Sequence, residues 1–137
     1  MNQSIPNSKM IGLFALVAIV GGLVSFPRMV KATAAKAPDP ANGKLLFEKR
    51  CTGCHSLNAE KEGPHLGNVF GRSAGTVPNF KYSDALKSAH VTWDEPSLDK
   101  WLTDPDSLIP ENDMAFHVPK AEERADIIRF LRESAGK

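Results

Sequence analysis

The sequence predicts an all-α domain that follows an apolar amino-terminal segment. Three observations support this fold class: apolar residues recur at helical spacing in two stretches, Asp, Ser and Pro mark helix starts, and Gly and Pro interrupt residues 52–78. The chain of 137 residues has room for one compact domain. Its 42% hydrophobic and 24% charged residues, with a net charge of +1, argue against a disordered chain and against a protein that coats nucleic acid.

The first helix is predicted over residues 41–50, because Asp39 can cap it and Pro40 suits its first turn. Gly43 and Phe47 lie four residues apart and therefore share one face of this helix. The following stretch, residues 52–78, contains seven glycines or prolines and is predicted to be mostly loop.

Four further helices are predicted. They lie over residues 83–89 with Ser83 as the cap, from Asp94 or Glu95 onward, between Pro105 and Pro110, and over residues 119–133. Two of them have apolar residues at helical spacing: Leu98, Trp101 and Leu102 in one, and Ile127, Ile128, Phe130 and Leu131 in the other. Large apolar residues are scarce between Cys51 and Ala89, so we expect a metal, a disulfide or a bound cofactor to complete this small core.

Residues 1–34 are predicted to be a signal peptide or a membrane anchor. Lys9 precedes an uncharged run of 17 residues at 10–26, and the small residues Ala32-Thr33-Ala34 follow it. This order is typical of a secretory signal, and the run is also close to the ~20 residues that cross a bilayer. Both interpretations export the rest of the chain, and the cleaved form is favoured. Residues 35–40 would then be a linker and residues 41–137 the exported domain.

Both cysteines lie in Cys51-Thr52-Gly53-Cys54-His55, the C-x-x-C-H pattern of c-type haem attachment. Two thiols at this spacing can form thioethers with the two vinyl groups of one porphyrin, and the adjacent histidine can bind the iron. A disulfide, a redox-active dithiol and a zinc site are the alternatives. A dithiol usually lies near a βαβ pattern, which the sequence lacks; for zinc, His65 and His90 are available but a second C-x-x-C is not.

A sixth iron ligand would have to come from elsewhere in the domain. Met114 is the only methionine after the amino-terminal segment and lies 59 residues after His55. A thioether is a soft ligand that favours ferrous iron and raises the reduction potential. His65, His90 and His117 are rival ligands, and a lone methionine can also simply fill a gap in the core.

Beyond C-x-x-C-H, many short motifs follow one another in a recognisable order. They occupy residues 51–55, 63–66, 71–72, 80–85, 91–93, 102–105, 109–110, 114–116 and 123–131. Together they make the sequence similar to class I cytochrome c of the mitochondrial type and its bacterial relatives, from about residue 41 to residue 133. The resemblance implies a few short helices wrapped around one covalently bound haem.

The resemblance also implies roles for individual residues. Cys51 and Cys54 would carry the thioethers of one haem c, and His55 and Met114 would be the axial ligands. The Pro64 carbonyl would accept a hydrogen bond from the other ring nitrogen of His55 and so orient it. Three more residues match positions that hold a haem propionate through hydrogen bonds: Arg72, Tyr82 and Trp93.

Phe116 matches the aromatic residue near the exposed haem edge, and two features depart from the family pattern. Trp101 stands where the mitochondrial family usually has a tyrosine whose hydroxyl reaches toward the methionine sulfur; an indole N–H can donate but cannot accept. Residues 106–107 and 111–113 replace family lysines that meet acidic partners. The remaining cations are Lys49, Arg50, Lys61, Lys81, Lys87 and Lys120. We therefore expect a weaker or differently placed basic patch.

The function implied by the resemblance is that of a one-electron carrier, not an enzyme. It would act as a monomer between redox complexes such as a cytochrome bc1-type reductase and a terminal oxidase or dehydrogenase, without binding nucleic acid. Its expected location is the bacterial periplasm, either soluble after cleavage or tethered to the inner membrane through residues 10–26. A thiol oxidoreductase, a haem protein with an open iron site, and a sensor or fixed subunit of one complex are the alternatives.

Overall fold

The computed structural model describes Met1 and residues 36–135, and within them all regular structure is helical. The helices are α1 (Pro40–Arg50), α2 (Asp84–Ser88), α3 (Glu95–Thr103), α4 (Pro105–Leu108) and α5 (Ala121–Glu133). Ser73 and Thr92 form an isolated antiparallel bridge. The all-α prediction is confirmed, and every predicted helix is present. The last helix begins two residues later than predicted, because Lys120, with extended backbone, takes the cap position.

Side chains cap the amino termini of the first four helices. The capping residues are Asp39, Ser83, Asp94 and Asp104. Asp94 forms a reciprocal capping box with Ser97, in which each side chain accepts a hydrogen bond from the backbone N–H of the other residue. These bonds satisfy N–H groups that have no partner within the helix, so even short helices have defined starts.

Helices α1 and α5 cross at Gly43, with no space for a side chain between them. A Cβ atom added to Gly43 would lie 2.0 Å from the carbonyl oxygen of Asp126 and 2.9 Å from the Cβ of Phe130. One turn further along α1, the buried ring of Phe47 packs on the ring of Phe130, with centroids 5.4 Å apart. The predicted shared face of Gly43 and Phe47 is confirmed and is the packing face of α1.

Polar groups hold the two ends of this crossing. The buried carboxylate of Asp126 accepts from the backbone N–H of Asp39 at 2.6 Å and from the side-chain amide of Asn42 at 2.7 Å. At the other end of α1, Arg50 forms an ion pair with Glu123 at 2.7 Å. Both oxygens of Asp126 are engaged, so the cost of burying this carboxylate is offset by hydrogen bonds.

The loops contribute to the core as much as the helices do. Between Cys51 and Ala89 the buried hydrophobic residues are Val69, Ala74, Val77 and Tyr82. Val69 and Ala74 belong to the same core cluster as Trp93 and the apolar face of α3. In the described part of the chain, no helix combines the length and apolarity that spanning a membrane requires. The amino-terminal run at 10–26, on which the signal or anchor prediction depends, lies outside the described residues.

Candidate functional site

The C-x-x-C-H motif lies directly after α1. Cys51 is the carboxyl cap of this helix: its N–H donates to the carbonyl of Phe47 at 2.8 Å, and the N–H of His55 donates to the carbonyl of Cys51 at 2.9 Å. Both thiols are free, with Cys51 half-buried and Cys54 exposed. Burial raises the pKa of the Cys51 thiol to about 11, so this group is a neutral thiol at neutral pH. The motif is therefore held in a tight turn with no disulfide between its cysteines.

The ring of His55 is oriented by the chain segment at 63–64. Its Nδ1 atom lies 2.8 Å from the carbonyl oxygen of Pro64. Because a carbonyl can only accept, Nδ1 carries the proton and Nε2 has a free lone pair. Burial is the main cause that lowers the pKa of this imidazole, which favours the neutral form that binds metals. The hydrogen bond that the resemblance implied between Pro64 and His55 is present.

Gly63 is a site residue to which the sequence analysis gave no role. A Cβ atom added to it would lie 2.2 Å from Cε1 of His55 and 2.6 Å from its Nδ1. The N–H of Gly63 also donates to the carbonyl of Cys54 at 2.8 Å, which ties this segment back to the motif. The glycine thus lets the backbone lie against the imidazole ring. In the sequence, the Gly63-Pro64 pair indicates a turn, but it does not indicate that this turn lies against the His55 ring.

The sulfur of Met114 faces the indole of Trp101. The indole N–H donates to Sδ across 3.1 Å, and the indole itself is buried. The backbone N–H of Met114 donates to the side-chain oxygen of Asn112 at 2.7 Å, and the amide of Asn112 donates to the carbonyl of Ile109 at 2.9 Å. Asn112 therefore fixes the loop that carries the methionine, a role that the sequence alone did not indicate.

Arg72, Tyr82 and Trp93, which the resemblance grouped together, lie near one another. The N–H of Trp93 donates to the carbonyl of Arg72 at 2.9 Å, and the Arg72 guanidinium donates to the carbonyls of His65 and Gly67 at 2.8 and 3.1 Å. Burial raises the pKa of the Tyr82 hydroxyl, while the charge of Arg72 acts in the opposite direction. Tyr82 is thus a protonated donor beside a cation.

The remaining candidates lie on the surface or are paired. Phe116 is 39% exposed, which makes it one of the large apolar side chains on the surface of the described residues. His90 and His117 are exposed, and Nδ1 of His65 lies 3.0 Å from the carboxylate of Glu60. Among the described residues, no group of three or more His, Cys, Asp or Glu side chains is placed to hold a metal ion.

The donor set fits a covalently bound haem. Two free thiols and a histidine with an unprotonated Nε2 follow one helix, a thioether is held on a separate loop, and buried hydrogen-bond donors lie nearby. An all-α domain with this site is a class I c-type cytochrome.

Comparison with known proteins agrees with this class. The family model described as "Cytochrome c" matches residues 40–135, and the chain belongs to the cytochrome c family. It is 42% identical over 109 residues to cytochrome c of Chlamydomonas reinhardtii, covering 75% of this chain and 97% of that protein. It is 38% identical over 125 residues to cytochrome c2 of Rhodomicrobium vannielii, covering 88% of this chain and 96% of that protein.

A solved structure shows the same fold. Cytochrome cH from Methylobacterium extorquens superposes with a TM-score of 0.66 at 35% identity, covering 69% of this chain and 98% of that one. Members of the family are electron carriers with one covalent c-type haem, and Cys51 and Cys54 have the spacing through which it is attached.

Proposed function

We propose that this cytochrome carries one electron at a time with His55 and Met114 as the axial ligands of its haem iron. The observation that carries the proposal is the hydrogen bond from Nδ1 of His55 to the Pro64 carbonyl, which leaves Nε2 of a buried imidazole unprotonated. When bound, the haem supplies the iron that gains and loses the electron. The chain holds the two ligands in place and surrounds them with apolar side chains, which favours transfer over ligand exchange.

Arg72, Tyr82 and Trp93 are proposed to neutralise a haem propionate. All three lie in one contiguous region, and each has a donor: a guanidinium, a protonated hydroxyl and an indole N–H. Charge-assisted hydrogen bonds of this kind offset the cost of burying a carboxylate. Phe116, exposed two residues after Met114, is proposed to lie beside the haem edge through which partners exchange electrons.

Residues 1–34 are proposed to export the domain, residues 35–40 to act as a linker, and residues 41–137 to form the cytochrome domain. The support is the uncharged run at 10–26 with Lys9 before it and small residues after it. Two of the similar proteins are bacterial. We therefore place the protein in a bacterial periplasm, soluble after cleavage or tethered to the inner membrane.

The proposed partners are a cytochrome bc1-type reductase and a terminal oxidase or dehydrogenase, met through brief encounters of a monomer. Charge steering would be modest, because several cations are engaged within the domain. Arg50 pairs with Glu123, Lys87 with Asp84, and Lys120 also with Glu123. Residues 104–119, which include Met114, contain no Lys or Arg, and the exposed acidic groups among them are Asp104, Asp106, Glu111 and Asp113. Association rates that fall only weakly with ionic strength would agree with this distribution.

The test is the visible spectrum of the protein made in a host that matures c-type haem. We expect covalently held haem, a sharp reduced α band and, in the oxidised form, the far-red sulfur-to-iron band of methionine ligation. Met114→Ala should lose that band, lower the potential and open the iron to added ligands, because Met114 is the only methionine after the amino-terminal segment and the sulfurs of Cys51 and Cys54 would be taken up by the thioether bonds. His117→Ala is the matched control, three residues away, and should keep the band.

Several outcomes would contradict the proposal. A wild-type protein without the far-red band, or a Met114→Ala variant that keeps it, would assign the sixth ligand elsewhere. A His117→Ala variant that loses the band would show that its loss is not specific to Met114. Protein without covalent haem would return Cys51 and Cys54 to thiol chemistry. The cell fraction that contains the haem protein separates a cleaved signal, which leaves it soluble, from a retained anchor, which leaves it with the membrane.

A further inference from the structure

The loop that carries Met114 contains a residue in a costly backbone conformation. Glu111 has a φ of 62°, in the left-handed region, and follows Pro110 in the turn after α4. Among the described residues, the other non-glycine residues with positive φ are Asn68 and Asn79. Asparagine tolerates this region because its short side chain can hydrogen-bond locally, whereas glutamate pays the full steric cost. Proline followed by a positive φ is the pattern of a type II turn, whose second central position normally holds glycine. Glu111 therefore strains the turn that leads to the methionine.

Asn112, the next residue, holds this strained turn closed. Its amide nitrogen donates to the carbonyl of Ile109 at 2.9 Å and to the carboxylate of Asp106 on α4 at 2.8 Å. Its side-chain oxygen accepts from the backbone N–H of Met114 at 2.7 Å. One half-buried side chain thus joins α4, the turn and the backbone of the methionine. The three bonds require residues 109–114 to keep this conformation.

The segment that carries Met114 is bounded by two fixed points. At its start, Ile109 is buried and its N–H donates to the carbonyl of Pro105 at 2.9 Å. At its end, Val118 is fully buried and its N–H donates to the carbonyl of Leu102 at 2.6 Å. Between these points the chain forms no helix, and residues 115–117 are exposed. The strain and the bonds described above therefore act on a short segment with the methionine near its middle.

We infer that Asn112 and Glu111 set, in opposite directions, how firmly Met114 is held at the haem iron. This inference rests on the proposed ligation by Met114. Asn112 is a positioning residue, because its bonds favour the conformation in which the backbone of Met114 is fixed over one in which the segment is released. The strain at Glu111 is present in the fixed conformation and is relieved on release, so it favours release. The balance between the two determines how readily a small nitrogen base takes the place of the sulfur.

Titration of the oxidised holoprotein with imidazole measures this balance, with loss of the far-red sulfur-to-iron band as the readout. In Asn112→Ala, we expect the dissociation constant of imidazole to fall about tenfold, because the bonds that oppose release are lost. In Glu111→Gly, we expect it to rise about threefold: glycine adopts a positive φ without strain, and its extra freedom in the released segment offsets part of the gain. Glu111→Gln is the matched control. It removes the charge, keeps the strained backbone and should bind imidazole as wild type does.

The outcomes separate this inference from the ligation on which it rests. A wild-type protein without the far-red band would overturn the ligation proposal and this inference with it. If the band is present but wild type, Asn112→Ala and Glu111→Gly bind imidazole equally well, ligation stands and the inference is overturned. Changes of the same direction in the two variants would also overturn it. A change in Glu111→Gln as large as that in Glu111→Gly would assign the effect to charge and reject the role of strain. Opposite changes, with Glu111→Gln unchanged, support the inference.

A measurement on the wild type covers the case in which Asn112→Ala does not fold. In the diamagnetic reduced protein, the backbone amides of the segment give separate nitrogen–proton correlations in the NMR spectrum. The Met114 amide, bonded to Asn112, should exchange with deuterium much more slowly than the amide of the exposed Phe116. Equal exchange rates for these two amides would show that Asn112 does not hold the methionine backbone and would overturn the inference.

Discussion

Replacing Gly43 by alanine should separate α1 from α5. Alanine is normally the better residue within a helix, by about 0.5–1 kcal/mol. At this position, however, the added Cβ would lie 2.0 Å from the Asp126 carbonyl oxygen and 2.9 Å from the Cβ of Phe130. Ordinary contact begins at 3.4 Å, so the backbones have to move apart by more than 1 Å. A rigid backbone carbonyl cannot rotate away as the tip of a long side chain could.

The expected cost follows from what that displacement breaks. Overpacking a core costs about 1–3 kcal/mol, and a clash with backbone belongs at the upper end of that range. The Phe47 and Phe130 rings would separate as well, and an aromatic pair is worth about 0.5–1.5 kcal/mol. After the gain in helix propensity is subtracted, we expect Gly43→Ala to lower the free energy of unfolding by about 3 kcal/mol. That is a large share of the ~5–15 kcal/mol of a typical domain.

Denaturant unfolding of the oxidised holoprotein, followed by circular dichroism and by tryptophan fluorescence, measures this loss. The midpoint should fall while the slope stays the same, because the surface exposed on unfolding is unchanged. Gly53→Ala is the matched glycine control, since a Cβ there meets nothing within 4 Å. Lys44→Ala, exposed on α1, reports helix propensity together with the loss of an exposed ion pair to Glu48, which is worth little. A Gly43→Ala protein as stable as wild type would refute the close crossing.

Two other predictions concern the ligand turn and a helix cap. Gly63→Ala places a Cβ 2.2 Å from the His55 ring, so we expect a lower yield of haem-loaded protein and a disturbed oxidised spectrum. Gly53→Ala, where a Cβ meets nothing within 4 Å, should match wild type in both measurements. A normal spectrum for Gly63→Ala would contradict the tight contact. Hydrogen bonds from the backbone and side chain of Ser97 lower the pKa of Asp94, so the unfolded chain binds the proton more readily. This contribution to stability is complete above the ordinary carboxyl pKa of 3.8 and is lost as the pH falls through the lower folded-state value. In Asp94→Asn, the free energy of unfolding should therefore fall less steeply as the pH is lowered through this range. An unchanged pH dependence would show that the Asp94 cap does not contribute to it.

Local signals were sufficient to predict the helices. Asp39 before Pro40, and Asp94 before Glu95 and Pro96, combine a cap with a proline that suits the first turn, and both helices begin there. The fold class could likewise be predicted, and so could the shared face of Gly43 and Phe47 on α1. In each case the residues that predict the feature lie within one or two helical turns of it, or in a motif of fixed length.

The contacts that could not be predicted join residues far apart in the chain or lie within loops that have no periodic pattern. Asn42 donates to Asp126 across 84 positions, and nothing in the sequence near Asn42 indicates its partner. Arg72 was expected to face a propionate, but its guanidinium also holds the carbonyls of His65 and Gly67. Gly63 and Asn112 lie in loops without helical or strand periodicity. Their contacts, with the His55 ring eight residues away and with the Met114 backbone two residues away, depend on the conformation of those loops.

Contacts of this kind also explain how loops can hold the two proposed iron ligands, His55 and Met114, rigidly. A connected path runs from His55 to the Pro64 carbonyl, from the neighbouring His65 carbonyl to Arg72, and from the Arg72 carbonyl to the N–H of Trp93. The ring of Trp93 packs on Trp101, whose N–H reaches the sulfur of Met114. Each link is a hydrogen bond or a ring contact between residues that are buried or partly buried. Displacing one of these two residues therefore has to disturb neighbours of the other. With the proposed ligation, this mechanical coupling is what a carrier needs to keep the same ligands in both oxidation states.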